Sequence, residues 1–299
     1  MLLDITLENY RSVKERQTVS FEAVTDSSLD TSQKISVDER FDLIKIAAVV
    51  GPNGSGKSGV LRAIEAARAF VLAEESEANP LNVMTGTAFA FDRDWASKPS
   101  KIEIRAVIGY DEETGLARIY RYTLHADRDK VHYEALFIQV GRSTRRFFER
   151  TLKHGEKRAD GSPVYTFLWG KKYEGDKKKL GKRVPANRSF LQAAALKGGE
   201  SVLPMYQWFR DRVDVIPLGL SAVSERMIID TLKQYPGWRR KVVDFLWCMD
   251  LMDIRDLRII EREGSSRLVY IHGAGDNRFA SYFTSESLGV RRLTLISLM

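Results

Sequence analysis

The sequence is poor in residues that staple or metallate a small fold. It has one cysteine, Cys248, which excludes a disulfide framework within the chain. Cys248 lies in "FLWCMDLM", where a small buried apolar residue is expected rather than a reactive thiol. The four histidines, at 125, 132, 154 and 272, are scattered. None has a cysteine or second histidine at ligand spacing, so no zinc site is expected. No stretch reaches the about 18 apolar residues of a membrane span. The N-terminus "MLLDITLENY" carries an acid at position 4 and is not a secretory signal. A cytoplasmic location without membrane insertion follows. No internal repeat is visible.

The 299 residues suffice for one large domain or two small ones with a true core. Hydrophobic residues make up 43% and charged residues 29%, an ordinary globular composition. The net charge of +7 permits a polyanionic partner without demanding one.

Along the chain, "LLDITLENY" alternates, with Leu3, Ile5 and Leu7 on one face of a first strand, and "TVSFEAV" reads as a second. "LIKIAAVV" is a continuous apolar run ending at Gly51 and is expected as a buried central strand. From Ser58 to Leu72, Val60, Leu61, Ile64, Ala67 and Phe70 recur at helical spacing. "KIEIRAVIGY", "ARIYRYTL" and "VHYEALFIQV", separated by turns, read as an antiparallel meander that "RRFFERTL" and "PVYTFLW" extend. "GKKYEGDKKKLGKRVPANR" is dominated by Lys and Arg and reads as an exposed loop. The stretch from "SFLQAAALKGG" to "KVVDFLWCMDLM" is helical in pattern, broken at "VIPLGLS". "LRIIEREGSSRLVYIH" reads as a hairpin, and "SESLGVRRLTLISLM" as a turn entering a helix. The class is α/β with a large antiparallel part.

Between the apolar run and the helix, Gly51, Gly56, Lys57 and Ser58 satisfy G-x-x-x-x-G-K-[ST]. Glycines permit the torsions that turn backbone amides inward. Amides at a helix start attract phosphate, Lys57 reaches the β- and γ-oxygens, and the Ser58 hydroxyl suits Mg²⁺. The cofactors expected are ATP and Mg²⁺, held by Gly51, Asn53, Gly54, Ser55, Gly56, Lys57 and Ser58, with Lys57 also acting on the transferred phosphate and Ser58 as metal ligand.

The wording "GPNGSGKS" resembles the phosphate loop of ABC-type ATPases, particularly the heads of structural-maintenance-of-chromosomes, RecF-like and break-repair proteins. "ITLENYRSVKERQTVSFE" is similar to their first strand and its Asn-aromatic-basic-Ser turn. The order of "ENYRS", "TVSFEA", the meander, "YQWFRDRVDVIP" and "ESLGVRRL" most resembles the ABC-like AAA ATPases of bacterial defence and abortive-infection loci. The resemblance implies a P-loop NTPase of ABC/SMC-head type with a mixed sheet, an antiparallel meander and a helical lobe. It implies a nucleotide-binding core at 1–75, meander at 76–170, basic loop and helical lobe at 171–250, and hairpin and signature helix at 251–299. Arg11 and Ser12 then stand near the nucleotide. Ser287 and Gly289 match a compact Ser-x-Gly signature that meets a nucleotide on a second copy; read without the resemblance, the stretch is a simple helix cap, with Ser285 or Ser287 starting the last helix. No Mg²⁺-sensing glutamine or base-stacking aromatic is identified: Gln139 is the candidate by residue type but lies late, inside a strand pattern, and Tyr10 is the aromatic suggested for the base.

The resemblance further implies an ATPase whose heads dimerise on ATP and switch an effector, in phage defence or DNA-related maintenance. Its Asp-Glu pair, on a strand following the signature helix, is not found before Met299. Asp250 and Asp253 precede the signature at helical spacing. The sequence is therefore expected to be a piece of a longer protein, with little turnover by itself. Alternatives are a nucleotide-binding scaffold without turnover, a nucleic-acid-binding module using the lysine-rich stretch, and, among enzymes, a small-molecule kinase.

Overall fold

The computed structural model describes residues 1–24, 31–51, 55–175, 177–215, 222–262 and 265–298. The chain divides into two compact units, Met1–Val215 and Ile216–Met299. The fold is mixed α/β, with a large antiparallel sheet in the first unit and a smaller one in the second.

The first unit opens with β1 (Leu2–Glu8) and β2 (Gln17–Ser20), followed by the small hairpin of β3 (Lys34–Asp38) and β4 (Phe41–Ile44). Helix α1 (Lys57–Leu72) and the single turn α2 (Arg93–Ala96) precede the meander β5 (Ser100–Tyr110), β6 (Ala117–Ala126), β7 (Val131–Val140), β8 (Ser143–Lys157) and β9 (Pro163–Trp169). The predicted alternating runs form these strands. They pair in the order β2-β1-β5-β6-β7-β8-β9, all antiparallel. Helices α3 (Lys177–Arg183), α4 (Phe190–Leu196) and α5 (Leu203–Asp211) complete the unit.

The core lies between this sheet and helices α1, α4 and α5. Val60, Ala63, Ile64, Ala67, Phe70 and Val71 line the buried stripe of α1, while Leu61 faces out. Phe190 of α4 packs edge-on against Phe148 at 4.8 Å, and Phe209 of α5 against Tyr122 at 5.5 Å. A charged pair sits among these rings. Glu134 and Arg150 are fully buried, 3.6 Å apart. Glu134 accepts from Phe190 N (2.8 Å), Ser189 Oγ (2.9 Å) and Leu191 N (3.0 Å), so it anchors the start of α4 to the sheet. Arg150 donates to the carbonyls of Pro185 and Arg188 and lies over the Tyr165 ring.

Three expectations need correction. Ile46–Val50 forms no strand, and Ile46 and Val50 are 89% and 86% exposed. An apolar run becomes a central strand only when neighbours satisfy its amides and carbonyls on both sides. Among the described residues no strand lies beside it, and regular pairing ends at Ile44. The lysine-rich stretch is not simply a loop: it contains α3 and buries Tyr173 and Leu180 in the main core. Cys248 is exposed, because it ends a helix on the side away from Val242, Val243 and Leu246.

The second unit holds α6 (Ala222–Gln234), α7 (Trp238–Cys248), the antiparallel sheet of β10 (Ile254–Arg262), β11 (Ser265–His272) and β12 (Phe279–Tyr282), and α8 (Leu288–Ile296). The expected hairpin is β10–β11. Its own core gathers Ile228, Ile229, Leu246, Leu257, Leu268 and Tyr270. Residues 216–221, within the "VIPLGLS" break, lie outside the described residues.

Candidate nucleotide site

The phosphate-loop sequence leads directly into α1, whose N-cap is Gly56 at φ 95°. That torsion is one an L side chain adopts only with strain. No side chain caps α1, so its first turn presents amides outward. Gly51 also has a positive φ, and its carbonyl accepts from Lys57 Nζ at 2.7 Å. The loop thus folds back on the lysine that its spacing predicts for phosphate. Asn53 and Gly54 lie outside the described residues. Ser55 and Ser58 are exposed at the loop's end and the helix start.

The turn after β1 completes the site. Asn9 and Arg11 both adopt left-handed torsions. Asn9 is buried and donates through Nδ2 to the carbonyls of Trp95 and Lys98, while its Oδ1 accepts from Phe89 N. The Arg11 amide donates to Thr87 O at 2.5 Å. These bonds hold Arg11 and Ser12 against the loop. An open cavity of about 410 Å³ results, lined by Arg11, Ser12, Gly56, Lys57, Ser58, Gly59 and Arg62.

Among the described residues its lining carries three cationic side chains and no carboxylate. Arg11 Nε is buried without a hydrogen-bond partner among the described residues, while the guanidinium also bonds the Tyr10 side chain. A buried donor left open beside a helix N-terminus fits an anion with several acceptor oxygens. ATP therefore fits the residues present, and the Ser58 hydroxyl is a suitable Mg²⁺ ligand.

Gly51, Gly56, Lys57, Ser58, Arg11 and Ser12 all belong to the first unit, and all but Gly51 line the one cavity. Ser287 and Gly289 belong to the second unit, at the start of α8. Ser287 Oγ accepts from Val290 N at 3.2 Å, so it is a helix cap, as read from the bare sequence. Gly289 needs no special torsion, and an added Cβ would meet only Ser287 Oγ at an ordinary 3.8 Å. Tyr10 is buried in the main core, so its ring offers no face to a base. Burial also pushes its phenol above the ordinary range. Gln139 lies in β7 and donates to Gly141 O in its own hairpin at 3.0 Å.

Arg62 is the residue that spacing alone does not single out. It falls one turn beyond Ser58 on the same helix face, and that periodicity is the only sequence signal for it.

No helix among the described residues is long and apolar enough to cross a membrane. No curated protein matches the sequence. Among solved structures the chain is similar to an SMC head domain from Thermotoga maritima, at 14% identity and a TM-score of 0.33, over 99% of this chain and 70% of that one. The family model that matches, over residues 46–299, is described as "AAA domain, putative AbiEii toxin, Type IV TA system". That match takes in the phosphate loop, α1, the meander and α8, and by it the chain belongs to this family of AAA-type P-loop ATPase domains.

Proposed function

We propose that this chain is the ATP-binding part of a switch. ATP with Mg²⁺ binds through Gly51, Asn53, Gly54, Ser55, Gly56, Lys57 and Ser58, with Arg11, Ser12 and Arg62 around the phosphates. The observation that carries the reading is the cationic cavity at the head of α1, where a buried Arg11 donor lacks a protein partner. When bound, Mg²⁺ neutralises charge on the phosphate oxygens. Lys57 supplies a mobile cation and the first turn of α1 supplies fixed amides, both of which favour developing negative charge.

In this reading, two copies close head to head on ATP. Ser287 and Gly289 of one copy face the phosphate loop of the other, and the closed state controls an effector in defence against phage or in DNA-related maintenance. Gly289 supports it: neither torsion nor crowding within the chain calls for glycine there. A residue with no side chain suits close approach by a ligand. Residues 1–75, 76–170, 171–250 and 251–299 serve this head as core, meander, basic and helical lobe, and signature segment.

The test is calorimetry of ATP binding beside light scattering with a non-hydrolysable analogue. Lys57→Ala should abolish ATP binding or weaken it severely. Ser287→Arg should block analogue-promoted association while leaving monomer binding intact. Equal ATP affinity in wild type and Lys57→Ala would overturn the site. Association untouched by Ser287→Arg would overturn the role of the signature.

The carboxylate-free lining favours a second reading, a nucleotide-binding scaffold with little turnover. Phosphate release by residues 1–299 close to background supports it, and brisk release by the monomer removes it.

A further inference from the structure

The turn after β1 is clasped by a second segment, residues 87–98. Thr87 O accepts from the Arg11 amide at 2.5 Å, and the Phe89 amide donates to Asn9 Oδ1 at 3.0 Å. Asp92 pairs with Lys14 at 2.8 Å and also caps α2, accepting from Asp94 N at 3.0 Å. The carbonyls of Trp95 and Lys98 each accept from Asn9 Nδ2 at 2.9 Å. The segment is thus fixed to the same turn that sets Arg11 and Ser12 on the wall of the nucleotide cavity.

This clasp holds one ring out in water. Phe91 lies between two pinned residues, Phe89 and Asp92, and is 90% exposed. Its ring meets the edge of the Phe89 ring, with centroids 5.7 Å apart. A single exposed apolar side chain is ordinary on a protein surface. Phe91 differs in where it is held. It is the fourth residue after Thr87, and four extended residues span at most about 14 Å. That is within the length of a nucleotide anchored by its phosphates at the head of α1. The other rings on these two segments are engaged. Tyr10 is buried in the main core. Trp95 is half-buried, with the ammonium groups of Lys98 and Lys14 over its ring at 4.8 and 5.9 Å.

The two ends of a nucleotide ask for different partners. The cavity at the head of α1 offers cations and backbone amides, which hold phosphate and do not sense a base. A base is a flat π-system, and stacking on an aromatic side chain is worth roughly 5- to 100-fold in affinity. A ring already held in place by its loop needs little further ordering when the ligand arrives.

We propose that Phe91 is the stacking platform for the base of the nucleotide, and that residues 87–98 fix this ring relative to Arg11. The inference rests on the proposed nucleotide site and adds to it the recognition of the nucleoside end. Stacking reads the face of a base and not its edge. Phe91 therefore favours purine nucleotides over inorganic polyphosphate without choosing adenine over guanine.

The experiment is calorimetry of the 299-residue chain with ATP, GTP and inorganic tripolyphosphate, each with Mg²⁺. Phe91→Ala should lose roughly 5- to 100-fold in affinity for ATP, and similarly for GTP, while tripolyphosphate binding stays as in wild type. Phe91→Trp, which restores a flat ring, should keep ATP affinity. Phe91→Leu, which keeps apolar bulk alone, should behave as Phe91→Ala. The side chain is 90% exposed, so the melting temperatures of the three variants should match wild type, which separates stacking from a structural role. Unchanged ATP affinity in Phe91→Ala overturns the proposal. So does an equal loss for ATP and tripolyphosphate, which would place the effect at the phosphate end. Lys57→Ala tests the underlying site separately and should lose both ligands. If wild type binds neither ATP nor tripolyphosphate, the nucleotide site itself fails and the role of Phe91 falls with it.

Discussion

Ser12 and Gly56 compete for one small space: a methyl group built on Gly56 would come within 3.0 Å of Ser12 Oγ. The turn after β1 and the N-cap of α1 therefore touch through a glycine that also needs a left-handed torsion. Gly56→Ala should cost about 1–2 kcal/mol in backbone strain and weaken ATP binding. Ser12→Gly in the same chain should recover the crowding part but not the torsional part. Thermal melts and calorimetry of the two single variants and the double variant give the coupling directly. Strict additivity would show that the two residues do not meet in solution.

Arg62 is expected to contribute to nucleotide affinity although it lies outside the motif. A charge-assisted contact to phosphate is worth about 1.5–3 kcal/mol, or roughly 10- to 100-fold in affinity. Arg62→Ala should lose up to that factor, and Arg62→Glu more, with α1 still folded. Titration of ATP into both variants checks this. Unchanged affinity in Arg62→Glu would place the phosphates away from that face of α1.

The Glu134–Arg150 pair should be the most sensitive polar position in the first unit. Removing one partner strands the other inside the core, at a cost of about 3–5 kcal/mol. Glu134→Ala should show that loss in denaturant unfolding. Glu134→Gln, which retains acceptor and shape, should lose less.

Acid should weaken the first unit through His125. Burial first, then repulsion from Lys101, lowers this imidazole to about 4 from an ordinary 6.5. The unfolded chain therefore takes up its proton at a higher pH than the folded one. Stability is fully present above about 6.5 and is lost as pH falls toward about 4. Its ring lies 4.9 Å from Tyr133, so His125→Phe keeps an aromatic neighbour and should flatten unfolding free energy across that window. An unchanged pH slope in His125→Phe would assign the titration to another group.

The legible parts of the fold were those written in local periodicity. Alternation from Lys101 to Trp169 marked every strand of the meander, and the three-to-four spacing from Val60 to Phe70 marked α1 and its buried face. Glycine spacing likewise located the loop, and the Asn-Tyr-Arg-Ser turn located its neighbour, because those backbone torsions favour particular residue types. Ile46–Val50 was misleading for the converse reason: hydrophobicity reports a wish to be buried, while a strand also needs partners. Cys248 failed similarly, since one residue's place on a short helix depends on where the apolar stripe points. The hydrogen-bonded group of Asp253, His272, Ser281 and Glu286 in the second unit left no pattern, as its members come from separate elements that meet only after the sheet forms. Arg62 was visible only as a helical neighbour of a serine already chosen.

The pairing of Asp4 with Arg105 has a consequence for the order of assembly. Strands β5 to β9 each pair with the next in sequence, so their hairpins close short loops and can form as the chain leaves the ribosome. Strand β1 has only the four-residue β2 as a local neighbour. Its principal partner, β5, is made about a hundred residues later. Until then the turn carrying Arg11 and Ser12, which joins β1 to β2, lacks the Trp95 and Lys98 carbonyls that anchor Asn9. On the proposed function, the nascent chain thus exposes its phosphate-loop sequence long before the neighbouring turn is fully anchored, and nucleotide capture is timed by the sheet rather than by the loop.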